Sequence, residues 1–122
     1  MKSTELRIGN IIESRTKHPV KANWGTLRAL ENGEKTYFPI ELNDDWFKKL
    51  GFFKDDGYWK KDAYNDADGW DIIIRILDVR KFFSNEHLYY NYTNGIVKIK
   101  YVHQLQNLFF ALTGQELPCD GF

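Results

Sequence analysis

The sequence KYVHQLQNLFFALTGQEL, residues 100–117, holds the clearest structural pattern in this chain of 122 residues. At 100° per residue, six side chains fall on one arc with the i, i+3, i+4, i+7 spacing of a helix that packs on a core. They are Tyr101, Val102, Leu105, Leu108, Phe109 and Leu112. Gly114 and Pro118 follow, and both residue types end helices. The segment therefore predicts a C-terminal amphipathic helix.

Strand patterns precede this helix in the sequence. Residues 70–77 are rich in isoleucine, which predicts a strand with Ile72, Ile74 and Ile76 on one face and Arg75 on the other. Asn-Gly pairs predict two hairpins, because both residue types tolerate the positive φ of tight turns. The predicted hairpins join residues 24–30 to 35–40 and residues 87–92 to 96–100.

Three further segments complete the predicted architecture. Residues 6–12 predict a first strand, residues 13–23 an exposed basic loop and residues 58–61 a short strand. The sequence LNDDWFKKLGF, residues 42–52, predicts a short helix with Asn43 as its N-cap. The fold class expected is α+β, as one domain over residues 1–122. A curved antiparallel sheet of about five or six strands carries one short central helix and the C-terminal helix.

Composition limits the classes of function. Net charge is zero, from 17 basic and 17 acidic residues, which gives no general argument for a nucleic-acid or membrane partner. The charges are nevertheless uneven: six basic and two acidic residues in 1–30, seven and twelve in 31–78, and four and three in the remainder. The single cysteine excludes an internal disulfide and fits a reducing interior, so a cytoplasmic protein is expected.

The sequence lacks the motifs of common catalytic, metal and cofactor sites. The histidines, His18, His87 and His103, have no metal-ligand spacing, and Cys119 with His103 lacks a third orienting group. The acidic stretch at 64–69 does not match a calcium loop, and no glycine-rich phosphate loop is present. We therefore expect no metal, no cofactor and no enzymatic activity.

Aromatic residues are unusually frequent, at 16% of the chain, and many occur as adjacent pairs. Neighbours in a strand point to opposite faces, so a sheet buried on one face hides one ring of each pair. Either both faces are covered, or the remaining rings form a contact patch; we favour the patch. The anchors expected are Tyr58 and Trp59, with His103, Gln106 and Phe110 on a second helix stripe. Steering charges are expected from Arg15, Lys17 and Lys21.

The C-terminal segment, together with ELRIGN at residues 5–10 and the sequence at 42–52, resembles a group of small uncharacterised proteins of bacteroidete phages and prophages. The resemblance implies an intracellular protein encoded by a mobile element. By analogy with accessory proteins of that origin, such as anti-CRISPR proteins, it suggests a protein-binding module that inhibits a host RNA-guided nuclease. The alternatives are an RNA- or single-stranded-DNA-binding domain that uses the same aromatic residues, and a structural or housekeeping phage protein. No membrane partner is expected.

Overall fold

A computed structural model of the chain describes residues 2–34, 36–65, 70–78, 88–92 and 95–119. Within these residues a 3-10 turn, Ser3–Glu5, precedes three α-helices and eight strands. The helices are α1 (Trp24–Glu31), α2 (Asp44–Lys49) and α3 (Val102–Thr113). The strands are β1 (Ile11–Ser14), β2 (Pro19–Lys21), β3 (Tyr37–Phe38), β4 (Phe53–Asp55), β5 (Tyr58–Asn65), β6 (Trp70–Asp78), β7 (Leu88–Tyr92) and β8 (Gly95–Ile99).

The strands form two antiparallel sheets. One contains five strands in the order β4-β5-β6-β7-β8, and the other contains three in the order β2-β1-β3. An isolated bridge between Glu41 and Tyr101 lies between them, because the chain after β3 runs beside the end of β8. The Val102 amide donates to the Ile40 carbonyl across this junction, at 2.9 Å. The expected α+β class with antiparallel strands is confirmed, but the single curved sheet is divided into two.

The main core lies between one face of the five-stranded sheet, which we call the inner face, and the helices α2 and α3. Phe47 of α2 stacks on Trp59 of β5, with ring centroids 4.8 Å apart and planes within 5°. Ile74 and Ile76 of β6 are fully buried beside them. Helix α3 contacts both β1 and β5, and so packs across the two sheets. The inner face is therefore the buried side of the larger sheet.

Helix α3 confirms the helix predicted from residues 100–117. Val102, Leu105 and Phe109 of the predicted stripe are buried in the main core. Gly114 has φ 73°, and its amide donates to the Phe110 carbonyl at 2.8 Å, which ends the helix.

The short central helix is also confirmed, as α2. The Asn43 side-chain oxygen accepts from the Trp46 amide at 2.9 Å, so Asn43 caps the helix as predicted. Two acidic residues begin this helix and two lysines end it, which complements the helix dipole.

The first predicted hairpin is wrong, because residues 24–31 form helix α1. Asn23 and Thr26 make a reciprocal capping box, in which each side chain accepts from the other residue's amide. Asn32 follows the last helical residue and Gly33 has φ 78°, so the Asn-Gly pair ends a helix instead of turning a hairpin. Only β3 remains of the strands predicted there.

The N-terminal boundaries also differ from the prediction. The first strand starts at Ile11, not at residue 6, and part of the predicted basic loop, Pro19–Lys21, is strand β2. The short strand predicted at 58–61 continues to Asn65 as β5. Strands β6, β7 and β8 confirm the predicted isoleucine-rich strand and the second hairpin, whose turn at 93–94 lies outside the described residues.

Candidate functional site

The register of the first three strands of the larger sheet decides which side chains point away from the core. Phe53, Lys60 and Arg75 lie opposite one another across β4, β5 and β6. The next row along the strands contains Lys54, Trp59 and Ile76 and belongs to the buried inner face. Because strand residues alternate between faces, the first row lies on the opposite side.

This opposite side of β4–β6 is the candidate functional site, and we call it the outer face. Its members are Phe53, Asp55, Tyr58, Lys60, Asp62, Ile73, Arg75 and Leu77. Phe53 is 51% exposed and Ile73 is 52% exposed. Tyr58 and Leu77 are half-buried beside them. On this hydrogen-bonded support Tyr58 lies opposite Leu77 and diagonal to Phe53, whereas Ile73 lies on the other side of Arg75 along β6.

The charges on the outer face are partly paired. Lys60 Nζ lies 2.7 Å from Asp55 Oδ2, so this lysine is largely neutralised within the chain. Arg75 is exposed and makes no ion pair or hydrogen bond with any residue that the structure describes. Arg75 is therefore the uncompensated positive charge among the described residues of this surface.

A shallow recess lies beside Arg75. Its volume is about 310 Å³ and its lining residues are Asp56, Tyr58, Lys60 and Arg75. Asp56 and Gly57 both have positive φ, at 51° and 80°, and form the tight turn from β4 to β5. The turn thereby brings a carboxylate to the rim of a recess that also holds two cations and a phenol.

Trp59, a predicted anchor, is instead a core residue, with 2% of its surface exposed. Its indole N–H donates to the buried Asp78 carboxylate at 3.3 Å, and Lys54 Nζ pairs with the same oxygen at 2.8 Å. The strand register is the reason: Tyr58 takes the outward position of the pair, and Trp59 the inward one. Of these two predicted anchors, only Tyr58 belongs to the outer face.

Gln106 and His103 are also wrongly predicted as surface anchors, since both are buried. Gln106 Oε1 accepts from the Ile11 amide at 2.7 Å, which joins α3 to β1. His103 stacks on Tyr101 with ring centroids 5.8 Å apart, and its Nδ1 has no hydrogen-bond partner among the residues that the structure describes. Burial lowers the pKa of His103 below its usual value, an effect that the nearby Glu5 carboxylate opposes. The second helix stripe therefore faces the N-terminal segment of the chain.

Phe110 is partly available, at 39% exposure. The Arg7 guanidinium lies over its ring, 4.2 Å from the centroid, and also pairs with Glu116 at 2.7 Å. A neighbouring cation thus already uses one side of this predicted anchor.

The predicted steering charges lie on the smaller sheet. Arg15 and Lys17 are exposed in the turn between β1 and β2, where Lys17 has φ 63°. Lys21, on β2, is exposed and lines a second recess of about 330 Å³ together with Gln106. The structure therefore does not gather the predicted residues into one site: Tyr58 is on the outer face, while the others belong to the core, α3 or β2 with its turn.

Sequence reasoning missed Phe53 and Ile73 as exposed apolar side chains. The signals were present in the Phe52-Phe53 pair, of which Phe52 is buried, and in the alternation around Arg75. It also missed Trp24, which is 75% exposed at the first position of α1. Trp24 borders a small recess with Leu27, Arg28 and Glu31, away from the larger sheet's strands.

No group of three or more His, Cys, Asp or Glu side chains that could hold a metal ion occurs in the described part of the chain. Asp78, the carboxylate buried most completely, is paired with Lys54 and Trp59. None of the helices described is both long and apolar enough to cross a membrane.

Comparisons of the chain with protein-family models, with curated proteins and with solved structures found no match. The chemistry of the outer face is therefore the basis of the function proposed below.

Proposed function

We propose that this protein is a non-enzymatic protein-binding module, and that the outer face is its binding surface. The observation that carries the proposal is the exposed Ile73 beside Arg75 on β6, with the exposed Phe53 two strands away in the row of Arg75. Arg75 itself makes no ion pair with any described residue. Binding hot spots are rich in aromatic residues and arginine and lie on well-packed supports. Three hydrogen-bonded strands supply such a support here.

The resemblance to phage and prophage proteins gives the proposal a more specific form. In that form the partner is a host protein, such as an RNA-guided nuclease or its ribonucleoprotein, and binding inhibits it in the cytoplasm. An inhibitor of this kind acts by occupying a surface, so it requires rigid contact residues and no catalytic group.

A second candidate, binding of RNA or single-stranded DNA, is favoured by one observation. Tyr58 lies beside Lys60 and Arg75 on an open antiparallel sheet, and a ring next to cations suits base stacking and phosphate contact. Against this candidate, Asp55, Asp56 and Asp62 lie on or beside the same face, and Lys60 is already paired. Their negative charge repels a phosphate backbone, so we rank protein binding first.

Affinity capture from lysate of a bacteroidete host tests the proposal. We compare the tagged wild-type chain with Ile73→Asp, which places a carboxylate next to Arg75 on the outer face, and with Ala111→Asp on the exposed side of α3. Trp59→Ala is unsuitable, because it removes a core side chain. Circular dichroism confirms that each variant is folded.

We expect one protein that is retained by the wild type and by Ala111→Asp, and reduced at least about tenfold by Ile73→Asp. The substitution replaces an apolar contact by a carboxylate that must lose its water on binding, and this carboxylate also competes with the partner for Arg75. Identical captured sets for all three chains would contradict the proposal. Nuclease treatment of the lysate separates the two candidates, since capture through nucleic acid is lost after treatment and falls steeply with salt.

A further inference from the structure

We infer that the outer face recognises a protein segment in which a single acidic side chain is flanked by apolar side chains, with the acidic group paired to Arg75. This inference rests on the proposed protein-binding function and names the chemistry of the partner. It commits to a polypeptide partner with one carboxylate at the centre of the contact.

The position of Arg75 is the first argument. Arg75 lies on β6, between β5 and β7, and its same-face neighbours along the strand are Ile73 and Leu77. Across β5 and β4 the same row continues to Lys60 and then Phe53. Apolar side chains therefore flank the guanidinium along β6, while charged side chains face it from β5. A bound partner that excludes water from this position strengthens an ion pair with Arg75.

The charge balance of the face is the second argument. The 2.7 Å pair between Lys60 and Asp55 leaves Arg75 as the cation without a partner among the described residues. A guanidinium presents a planar set of donors that matches a carboxylate with two parallel hydrogen bonds. Burying it under a partner without such an acceptor carries a penalty, so the partner is expected to supply one.

Asp62 limits the partner to a single acidic group. It is exposed, it lies opposite Ile73, and it is therefore one row from Arg75 on the same face. Asp62 on β5 and Asp56 in the turn before β5 thus place a negative charge on each side of Arg75. A run of acidic residues or a phosphate chain meets repulsion on both sides of Arg75, whereas one carboxylate between apolar groups does not.

A random twelve-residue peptide library, selected on the immobilised full chain, is the probe. Selected sequences are synthesised, and their dissociation constants are measured by fluorescence polarisation for the wild type, Arg75→Glu, Arg75→Lys and Ile73→Asp. Arg15→Glu is the matched control, because it reverses an exposed arginine in the turn between β1 and β2. Each selected peptide is also made with its acidic residue changed to lysine, to test charge exchange.

The expected result is enrichment of peptides with one Asp or Glu next to aromatic or aliphatic residues. Arg75→Glu weakens their binding about tenfold to a hundredfold, the range for a charge-assisted hydrogen-bonded pair, and the lysine-containing peptide recovers binding to that variant. Arg75→Lys is weaker than wild type, since it loses the two-point geometry. Arg15→Glu changes the dissociation constant less than about twofold. Arg15 is exposed in the turn between β1 and β2, where salt screens its charge from a peptide bound on the outer face.

Two kinds of result would overturn the inference. The first leaves the proposed function intact, and the second contradicts the proposed function as well. Peptides that lose binding in Ile73→Asp but are unaffected by Arg75→Glu retain the outer face as the binding surface and remove the acidic contact. Peptides that are insensitive to both substitutions, or a single-stranded oligonucleotide that binds the wild type and not Arg75→Glu, contradict both the inference and the proposed function.

Discussion

At the scale of single residues, the second stripe of α3 is explained by contacts with the start of the chain. Asn107 accepts from Arg7 Nε at 2.9 Å and from Asn10 Nδ2 at 2.9 Å. Gln106 accepts from the Ile11 amide at 2.7 Å. These bonds join residues about a hundred positions apart in sequence and hold the N-terminal segment on the helix.

Gln106→Ala tests whether this network stabilises the fold. The substitution leaves the buried Ile11 amide without its side-chain acceptor, so we expect a loss of about 1–3 kcal/mol in the free energy of unfolding. Urea unfolding measures it. Gln104→Ala is the control on the same helix: Gln104 is exposed and only helps to cap α3, so its loss should cost about 0.5–1 kcal/mol. Equal effects of the two substitutions would contradict a structural role for Gln106.

His103 makes folding stability depend on pH. Its pKa is lowered in the folded chain, chiefly by burial, so the unfolded chain binds a proton more readily. The free energy of unfolding should therefore fall as the pH drops below about 6.5, the ordinary histidine value, and this loss should stop below the lowered folded pKa. Urea unfolding between pH 8 and pH 5 measures this.

His103→Gln is the comparison for the pH experiment. It removes the titrating group while keeping a polar side chain of similar length. We expect its stability to change less over this range than that of the wild type. The same pH dependence in both proteins would show that other groups are responsible.

At the scale of secondary-structure elements, β5 shows how alternation assigns neighbouring aromatic residues to different environments. Trp59 stacks on Phe47 in the core, while Tyr58 lies on the outer face. We expect Trp59→Ala to lower the free energy of unfolding by about 3–5 kcal/mol, as for other large core truncations. Tyr58→Ala should cost less than about 1 kcal/mol because the ring is only half-buried. Thermal or urea unfolding of the two variants measures these losses. A larger loss of unfolding free energy for Tyr58→Ala than for Trp59→Ala would mean that the register of β5 is wrong.

The elements differ in how far the sequence predicts them. Helix α3 and strand β6 were predictable because their apolar periodicity is long and regular. Helix α1 was not, because Asn-Gly suits both a hairpin turn and a helix end, and the deciding signal is the capping box of Asn23 with Thr26. In this segment Leu27 and Leu30 pack on the smaller hydrophobic cluster, and this tertiary contact favours the helix over the hairpin.

At the scale of the whole molecule, the candidate site could be predicted in part. Strand alternation, applied to the adjacent aromatic pairs, predicted that some rings are exposed. Applied to the isoleucine-rich strand, it placed Arg75 on the face opposite the isoleucines. The burial of His103 and Gln106 did not, because a helix pattern shows two stripes but not what covers the second one. For Gln106 and Asn107 the cover comes from residues 7–11, which only the tertiary structure brings to α3.

The charge distribution also bears on the proposed function at this scale. Every member of the outer face belongs to residues 31–78, where twelve acidic residues exceed seven basic ones. A surface within such a segment is poorly suited to a polyanion and better suited to a protein whose charges complement individual residues.

The most direct test of the account is the dissociation constant of the captured partner for the wild type, Ile73→Asp and Trp24→Asp. Both variants place a carboxylate at an exposed apolar position, one on the outer face and one on α1. We predict that Ile73→Asp weakens binding at least about tenfold, as for an apolar residue buried in the contact, and that Trp24→Asp stays within about threefold of the wild type. Loss of binding in Trp24→Asp with no change in Ile73→Asp would contradict the account, because it would place the partner on α1.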